Sequence, residues 1–137
     1  MAEEQQTIGT FEQVSFPLLK VSSHLIAKID TGAYTGALHC TEAREEKTPE
    51  GTLLYFVPFG KQKYAQYTND YSRKHVKSSN GHRQERFVIT TQIVVRGRAY
   101  SIRLTLTDRS EMKYPALIGR RFLRMHKLMV DPAQYKK

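Results

Sequence analysis

Asp30-Thr31-Gly32-Ala33 is the stretch whose residue types and spacing can do chemistry, and it follows directly on the apolar run Leu25-Ile26-Ala27-Lys28-Ile29. A carboxylate at the end of a strand sits on a rigid support. Gly32 lets the backbone turn where a side chain would clash, and the Thr31 hydroxyl can tie that turn by a hydrogen bond. A fixed acid of this kind is a catalytic arrangement, which makes Asp30 the leading candidate. The plainer reading is a polar turn after a strand, because Asp, Thr and Gly each favour turns for local backbone reasons.

Far downstream, Pro115-Ala116-Leu117-Ile118-Gly119-Arg120-Arg121-Phe122-Leu123 reads as a buried strand, a glycine and the start of a helix. In this order the two stretches resemble the retropepsins. In that family an Asp-Thr-Gly-Ala turn and a later apolar-apolar-Gly-Arg segment cross to form one compact active-site loop, followed by a short helix. Here the motifs stand as Asp30-Thr31-Gly32-Ala33 and Leu117-Ile118-Gly119-Arg120. The chain is similar, more closely still, to a bacterial retropepsin-like family that carries the label "ATP-dependent zinc protease". That likeness rests on Val76-Lys77-Ser78-Ser79-Asn80-Gly81-His82-Arg83-Gln84-Glu85-Arg86, on Leu104-Thr105-Leu106-Thr107-Asp108-Arg109 and on Val130-Asp131-Pro132-Ala133, and it runs from Phe16 onward.

The resemblance implies an all-β, retropepsin-like closed β-barrel with one short C-terminal helix, and an aspartic endopeptidase. Aspartic peptide hydrolysis needs two carboxylates in contact that share one proton, since two like charges so close cannot both ionise. The sequence holds a single Asp-Thr-Gly, so a homodimer that pairs Asp30 with Asp30 of a second copy is the economical solution. Thr31 and Gly32 then fix the aspartate. Ala33, the hairpin tip Ser78, Ser79, Asn80, Gly81 and His82, and the flanking Arg83 and Arg86 are the expected substrate contacts, because that hairpin stands where retropepsins carry their flap. An ordinary solvated turn is the competing reading of the tip. Asp108 and Asp131 are the other aspartates that a dyad within one chain would use, and each also suits a local turn.

Two positions depart from the family pattern. Many retropepsins place an acid four residues after the catalytic aspartate to pair with the downstream arginine, and here Tyr34 faces that role for Arg120. Gly36 stands where the bacterial relatives tend to have serine, a change that reads as tolerable in a turn.

At 137 residues the chain fits one domain, read as a flexible N-terminal segment over 1–12 and a single domain over 13–137. One cysteine, Cys40, excludes an intrachain disulfide and reads as a small buried apolar residue. The start, Met1-Ala2-Glu3-Glu4-Gln5-Gln6, has no signal-peptide pattern, and no apolar run is long enough to span a membrane. A cytoplasmic location without membrane partners is the expectation, although a chain trimmed of its leader would read the same. No cofactor or metal is expected. His24, His39, His75, His82 and His126 are scattered, with no zinc-ligand spacing and no phosphate-binding loop.

The formal net charge of +9 is unevenly spread: residues 1–60 hold four Lys+Arg against eight Asp+Glu, and residues 61–137 hold eighteen against five. A positive field attracts anionic partners without naming them. The resemblance adds that its bacterial family is associated with ligases that add glutamate to protein termini, which implies an acidic, glutamate-rich peptide. The alternative is a non-catalytic basic β-domain that binds nucleic acid or acidic protein, with Tyr64, Tyr67, Tyr71 and Tyr100 stacking on bases.

The expected elements follow hydrophobic pattern and turn residues. Val14–Val21 reads as a first strand with an edge proline, turning at Ser22-Ser23-His24 into the strand Leu25–Ile29. Ala37–Cys40 reads as a short strand, and Thr41–Glu50 as an acidic surface loop. Leu53–Phe59 pairs with Tyr64–Tyr67, and Asn80-Gly81 marks a hairpin leading into Gln84–Val95. The strict alternation of Tyr100–Thr107 marks a half-buried strand, followed by a helix start at Gly119–Met125 and a closing strand at Lys127–Val130.

Overall fold

The computed structural model describes residues 6–77, 81–110 and 112–134. In chain order these form β1 (Thr7–Ile8), β2 (Phe11–Phe16), β3 (Val21–Ile29), β4 (Gly36–Thr48), β5 (Gly51–Pro58), β6 (Gln66–Thr68), β7 (Tyr71–Lys77), β8 (Arg83–Val95), β9 (Arg98–Thr107), β10 (Ala116–Ile118), α1 (Arg120–Met125) and β11 (Met129–Val130). Short 3-10 turns stand at Pro17–Leu19 and Gln62–Tyr64. The strands β10, β3, β2, β8, β9 and β4 are neighbours in that order, and β4 pairs back onto β10, which closes an all-β barrel. This is the barrel with one short helix that the resemblance implied.

Alternation builds the barrel wall. On β9, Ile102, Leu104 and Leu106 are buried while Ser101 and Arg103 are exposed, and on β8 the buried set is Ile89, Thr91, Ile93 and Val95. These meet Val14 and Phe16 of β2, Ala27 and Ile29 of β3, Leu38 of β4 and Ile118 of β10 in one core. Apolar burial of this kind is the main stabilising term, at about 25 cal/mol per Å².

Two boundaries differ from the sequence reading. Pro17 opens a 3-10 turn that ends at Lys20 with φ of 64°, so the reversal lies at Pro17–Lys20 and β3 runs unbroken through the residues expected to turn. Proline's fixed φ and missing N–H suit the first turn of a helix better than a ladder. Residues 41–48 form the outer half of β4, not a loop, pairing with β5 from Cys40↔Pro58 to Thr48↔Gly51. Its carboxylates are satisfied across the surface: Glu46 accepts from Tyr67 at 2.9 Å, Glu45 from Tyr71 at 2.6 Å, and Arg73 pairs with Glu45.

Of the segment at 1–12 that the sequence reading took as flexible, the structure describes residues 6–12. Ile8 is fully buried and Glu12 is 1% exposed. A carboxylate so deep needs partners. Glu12 Oε2 accepts from the Gly9 N–H at 2.7 Å and from Arg96 Nη2 at 2.7 Å, while Arg96 Nη1 donates to the Thr7 carbonyl at 2.9 Å. No helix is long and apolar enough to cross a membrane among the described residues.

Candidate active site

Strand β3 delivers Asp30 to one end of the barrel. β10 lies parallel to it, with Ile118 opposite Ile29, and the Asp30 N–H donates to the Ile118 carbonyl at 2.8 Å, carrying the ladder one residue further. The turn is tied by the aspartate itself: Asp30 Oδ1 accepts from the Gly32 N–H at 2.9 Å, and the Asp30 carbonyl from the Ala33 N–H at 3.2 Å. A Cβ at residue 32 would stand 3.2 Å from that Oδ1, so glycine keeps the carboxylate uncrowded. Thr31 is exposed, and the tie expected from its hydroxyl is made by the Asp30 carboxylate instead.

The second motif crosses the first backbone to backbone. β10 pairs with β3 on one side and with β4 on the other, through Ala116↔Leu38 and Leu117↔Ala37. Gly119 passes so close that a Cβ there would lie 2.7 Å from Thr35 C, and a Cβ at Gly36 would lie 2.6 Å from Leu117 O. Gly36 is therefore a strand residue in close approach, not the tolerant turn position the sequence reading gave it. Beyond the crossing, the Arg120 N–H donates to the Ala33 carbonyl at 2.8 Å and the Arg121 N–H to the Tyr34 carbonyl at 3.0 Å. These bonds occupy the first amides of α1.

The question raised by Tyr34 has an answer here. Arg120 Nη1 donates to the Gly32 carbonyl at 3.0 Å, and its guanidinium lies 5.4 Å from the centre of the Tyr34 ring. A cation–π contact plus a carbonyl bond stands where relatives use an ion pair, and it clamps the same turn.

The hairpin expected as a flap is formed by β7 and β8, paired from Tyr71↔Ile89 to Lys77↔Arg83. Gly81 has φ of 87°, while Ser78, Ser79 and Asn80 lie outside the described residues. Lys74 Nζ donates to Thr35 Oγ1 at 3.0 Å, which turns the Lys74 face of the hairpin toward the crossed loops. Register then separates the expected arginines. Arg86 lies opposite Lys74 and shares its face, whereas Arg83 alternates onto the face of Glu85 and Phe87, where Arg73 pairs with Glu85 at 3.2 Å and with Glu45.

Comparison with known proteins matches residues 7–136 to the model of a family described as RimB-like, retropepsin-like aspartic endopeptidase RimB. The chain belongs to the RimB-like family. A protein named probable alpha-L-glutamate ligase from Shewanella pealeana is 32% identical over 139 residues, spanning 98% of this chain and 30% of its own length. One of the same name from Desulfotalea psychrophila is 28% identical, over 94% of this chain and 28% of its own length. The chain thus spans about a third of the curated relatives it matches. A solved protein of unknown function from Legionella pneumophila superposes with a TM-score of 0.75 at 25% identity, covering 96% of this chain and 97% of that one.

For a RimB-like chain two further aspartates, Asp108 and Asp131, are informative. Asp108 accepts from the Ser110 N–H and hydroxyl, which hold its carboxyl below the ordinary value, and lies 3.8 Å from His39. Asp131 accepts from the Ala133 N–H at 2.9 Å and from Gln134 at 3.1 Å. Each is committed to its own turn. The residues do not fit the zinc of the family's older label: His39 and Asp108 gain no third ligand, and no group of three His, Cys, Asp or Glu gathers among the described residues. His39 Nδ1 already accepts from the Arg109 N–H at 2.8 Å.

The four tyrosines that a nucleic-acid reading needs each contact another aromatic ring, although Tyr67, on β6 outside the closed barrel, stays half exposed. Tyr64 packs on Phe59, Tyr67 on Tyr55, Tyr71 on Phe87 and Tyr100 on Phe122. The sequence reading overlooked the Lys74–Thr35 bond and the close approach of Gly36. The second had a signal, a glycine six residues past the aspartate inside an apolar run, but no pattern showed what would press on it.

Proposed function

We propose that the chain is an aspartic endopeptidase that works as a homodimer, with Asp30 of each copy forming the dyad. The observation that carries this reading is the crossing of the two loops, which presents one rigid carboxylate with Oδ1 tied to the turn and Oδ2 without a partner among the described residues. One Asp30 keeps the shared proton and polarises the scissile carbonyl. The other, ionised, takes a proton from the attacking water. The β7–β8 hairpin closes over the peptide and excludes solvent.

An acidic peptide is the proposed substrate class. The excess of Lys and Arg in residues 61–137 supports it, as does the name of the relatives, which ties proteins containing this kind of chain to glutamate. The deciding experiment is cleavage of an oligo-glutamate-containing peptide by the parent chain and by Asp30→Asn in parallel, with product sites read by mass spectrometry. Cleavage by the parent alone is the expected result. Equal cleavage by both would remove Asp30 from the mechanism.

A further inference from the structure

Beside the active-site loops, the outer face of β7, β8 and β9 and the length of α1 surround a cavity of about 450 Å³. One wall is Tyr34-Thr35-Gly36, the segment that leaves the Asp30 turn. Lys74, Arg103 and Arg121 border it from three different elements, and no Asp or Glu does among the described residues. None of the three cations meets a carboxylate there: Lys74 donates to Thr35, Arg103 Nη2 to Ser72 Oγ at 3.3 Å, and Arg121 lies 6.0 Å from the Tyr34 ring. Arg73 also borders the cavity, but its guanidinium is engaged by Glu45 and Glu85.

A second observation is independent of charge. Thr105 is 5% exposed and borders the same cavity, yet its hydroxyl has no hydrogen-bond partner among the described residues. Buried hydroxyls are almost always partnered, so an orphan one marks a place where another atom completes the bond. Hydroxyl donor, uncompensated cations and a floor that includes Ile102, Phe122 and Met125 together describe the complement of a short acidic side chain with apolar methylenes.

We propose that this cavity is a carboxylate subsite, which takes a glutamate side chain of the peptide at a position removed from the scissile bond. The inference rests on the reading of the chain as a peptidase and adds to it the residues that select the substrate. Thr105 donates its hydroxyl proton to one carboxylate oxygen, Arg103 and Arg121 supply the counter-charge, and Lys74 links the pocket to the closing hairpin.

The test uses the full chain carrying Asp30→Asn, so that binding is read without turnover. Two fluorescein-labelled octapeptides, identical except that one carries glutamate where the other carries glutamine, are titrated by anisotropy at low ionic strength. The glutamate peptide is expected to bind at least tenfold more tightly. In Arg103→Gln combined with Arg121→Gln that ratio falls to near one, in Thr105→Val it falls about threefold, and Thr105→Ser restores it. Lys47→Gln, which removes one positive charge at the far end of β4, keeps the ratio, and melting curves establish that each variant folds. Equal affinity for both peptides, absence of binding by either, or a ratio that survives the double substitution overturns the subsite. Cleavage by the parent chain is scored separately, so loss of the subsite and loss of the peptidase reading give different results.

Discussion

Asp30 accepts one hydrogen bond from its own turn and offers its second oxygen outward, so asparagine at this position keeps the structural acceptor and removes only the acid. Asp30→Asn is expected to leave stability within about 0.5 kcal/mol while lowering kcat by about 10²–10⁴-fold, measured by urea titration and by peptide turnover. Gly36 makes the opposite case. A methyl group there would sit 2.6 Å from Leu117 O, a backbone atom that cannot step aside alone, so Gly36→Ala should cost about 1–3 kcal/mol in the same titration. Cys40 is buried, and desolvation raises its thiol above the ordinary value of 9.0. As pH rises through that value the unfolded chain loses the thiol proton while the folded one keeps it, so native stability declines on the alkaline side. Below it there is no such loss. Stability measured between pH 7 and 10 should show this decline, and Cys40→Ala should flatten it.

At the scale of elements, the Glu12–Arg96 pair joins β2 to the turn between β8 and β9, and through Thr7 it also holds β1. Arg96→Met leaves a carboxylate that is 1% exposed without its counter-charge, which should cost about 3–5 kcal/mol in denaturant titration. Substituting both members by apolar residues should recover much of it. This pair engages part of the segment that the sequence reading took as flexible. Nothing local in Thr7-Ile8-Gly9-Thr10-Phe11-Glu12 shows that Glu12 is buried, because its counter-charge stands 84 residues away. The outer half of β4 was hidden for a related reason: Glu42, Glu45 and Glu46 carry no alternation of apolar residues, and while Glu42 pairs with Arg44 of the same strand, Glu45 and Glu46 find Arg73, Tyr71 and Tyr67 on later strands. The hairpins, in contrast, were legible, because Asn80-Gly81 and the alternation of Tyr100–Thr107 are local signals.

For the molecule as a whole, the proposed mechanism, with one Asp-Thr-Gly in each chain, requires two copies for activity. Sedimentation is expected to show a concentration-dependent dimer, and specific activity should fall on dilution with the same midpoint. A monomer of undiminished activity would place the second carboxylate within the chain. The positive field of residues 61–137 should make KM for an acidic peptide rise with salt more steeply than KM for a neutral one of equal length. The two motifs and their order were visible in sequence because each is a contiguous run whose residues serve one local geometry. The cavity was not, since Lys74, Arg103, Thr105 and Arg121 sit on three elements whose convergence only the barrel closure determines.

The parallel pairing of β1 with β11 brings the two ends of the fold together: Met129 N–H donates to the Gln6 carbonyl at 3.0 Å, and Thr10 N–H to the Gln134 carbonyl at 3.0 Å. Such an arrangement makes the order in which the barrel is threaded negotiable. A linker on the order of six to eight residues would span Gln134 to Gln6, and new ends could be cut in the exposed Pro49-Glu50 turn between β4 and β5. The resulting circular permutant should fold with the Asp30 crossing intact, because β3, β10 and the start of β4 keep their connections. Its cleavage pattern, compared with that of the parent, would then report on the barrel alone, free of any influence from where synthesis begins.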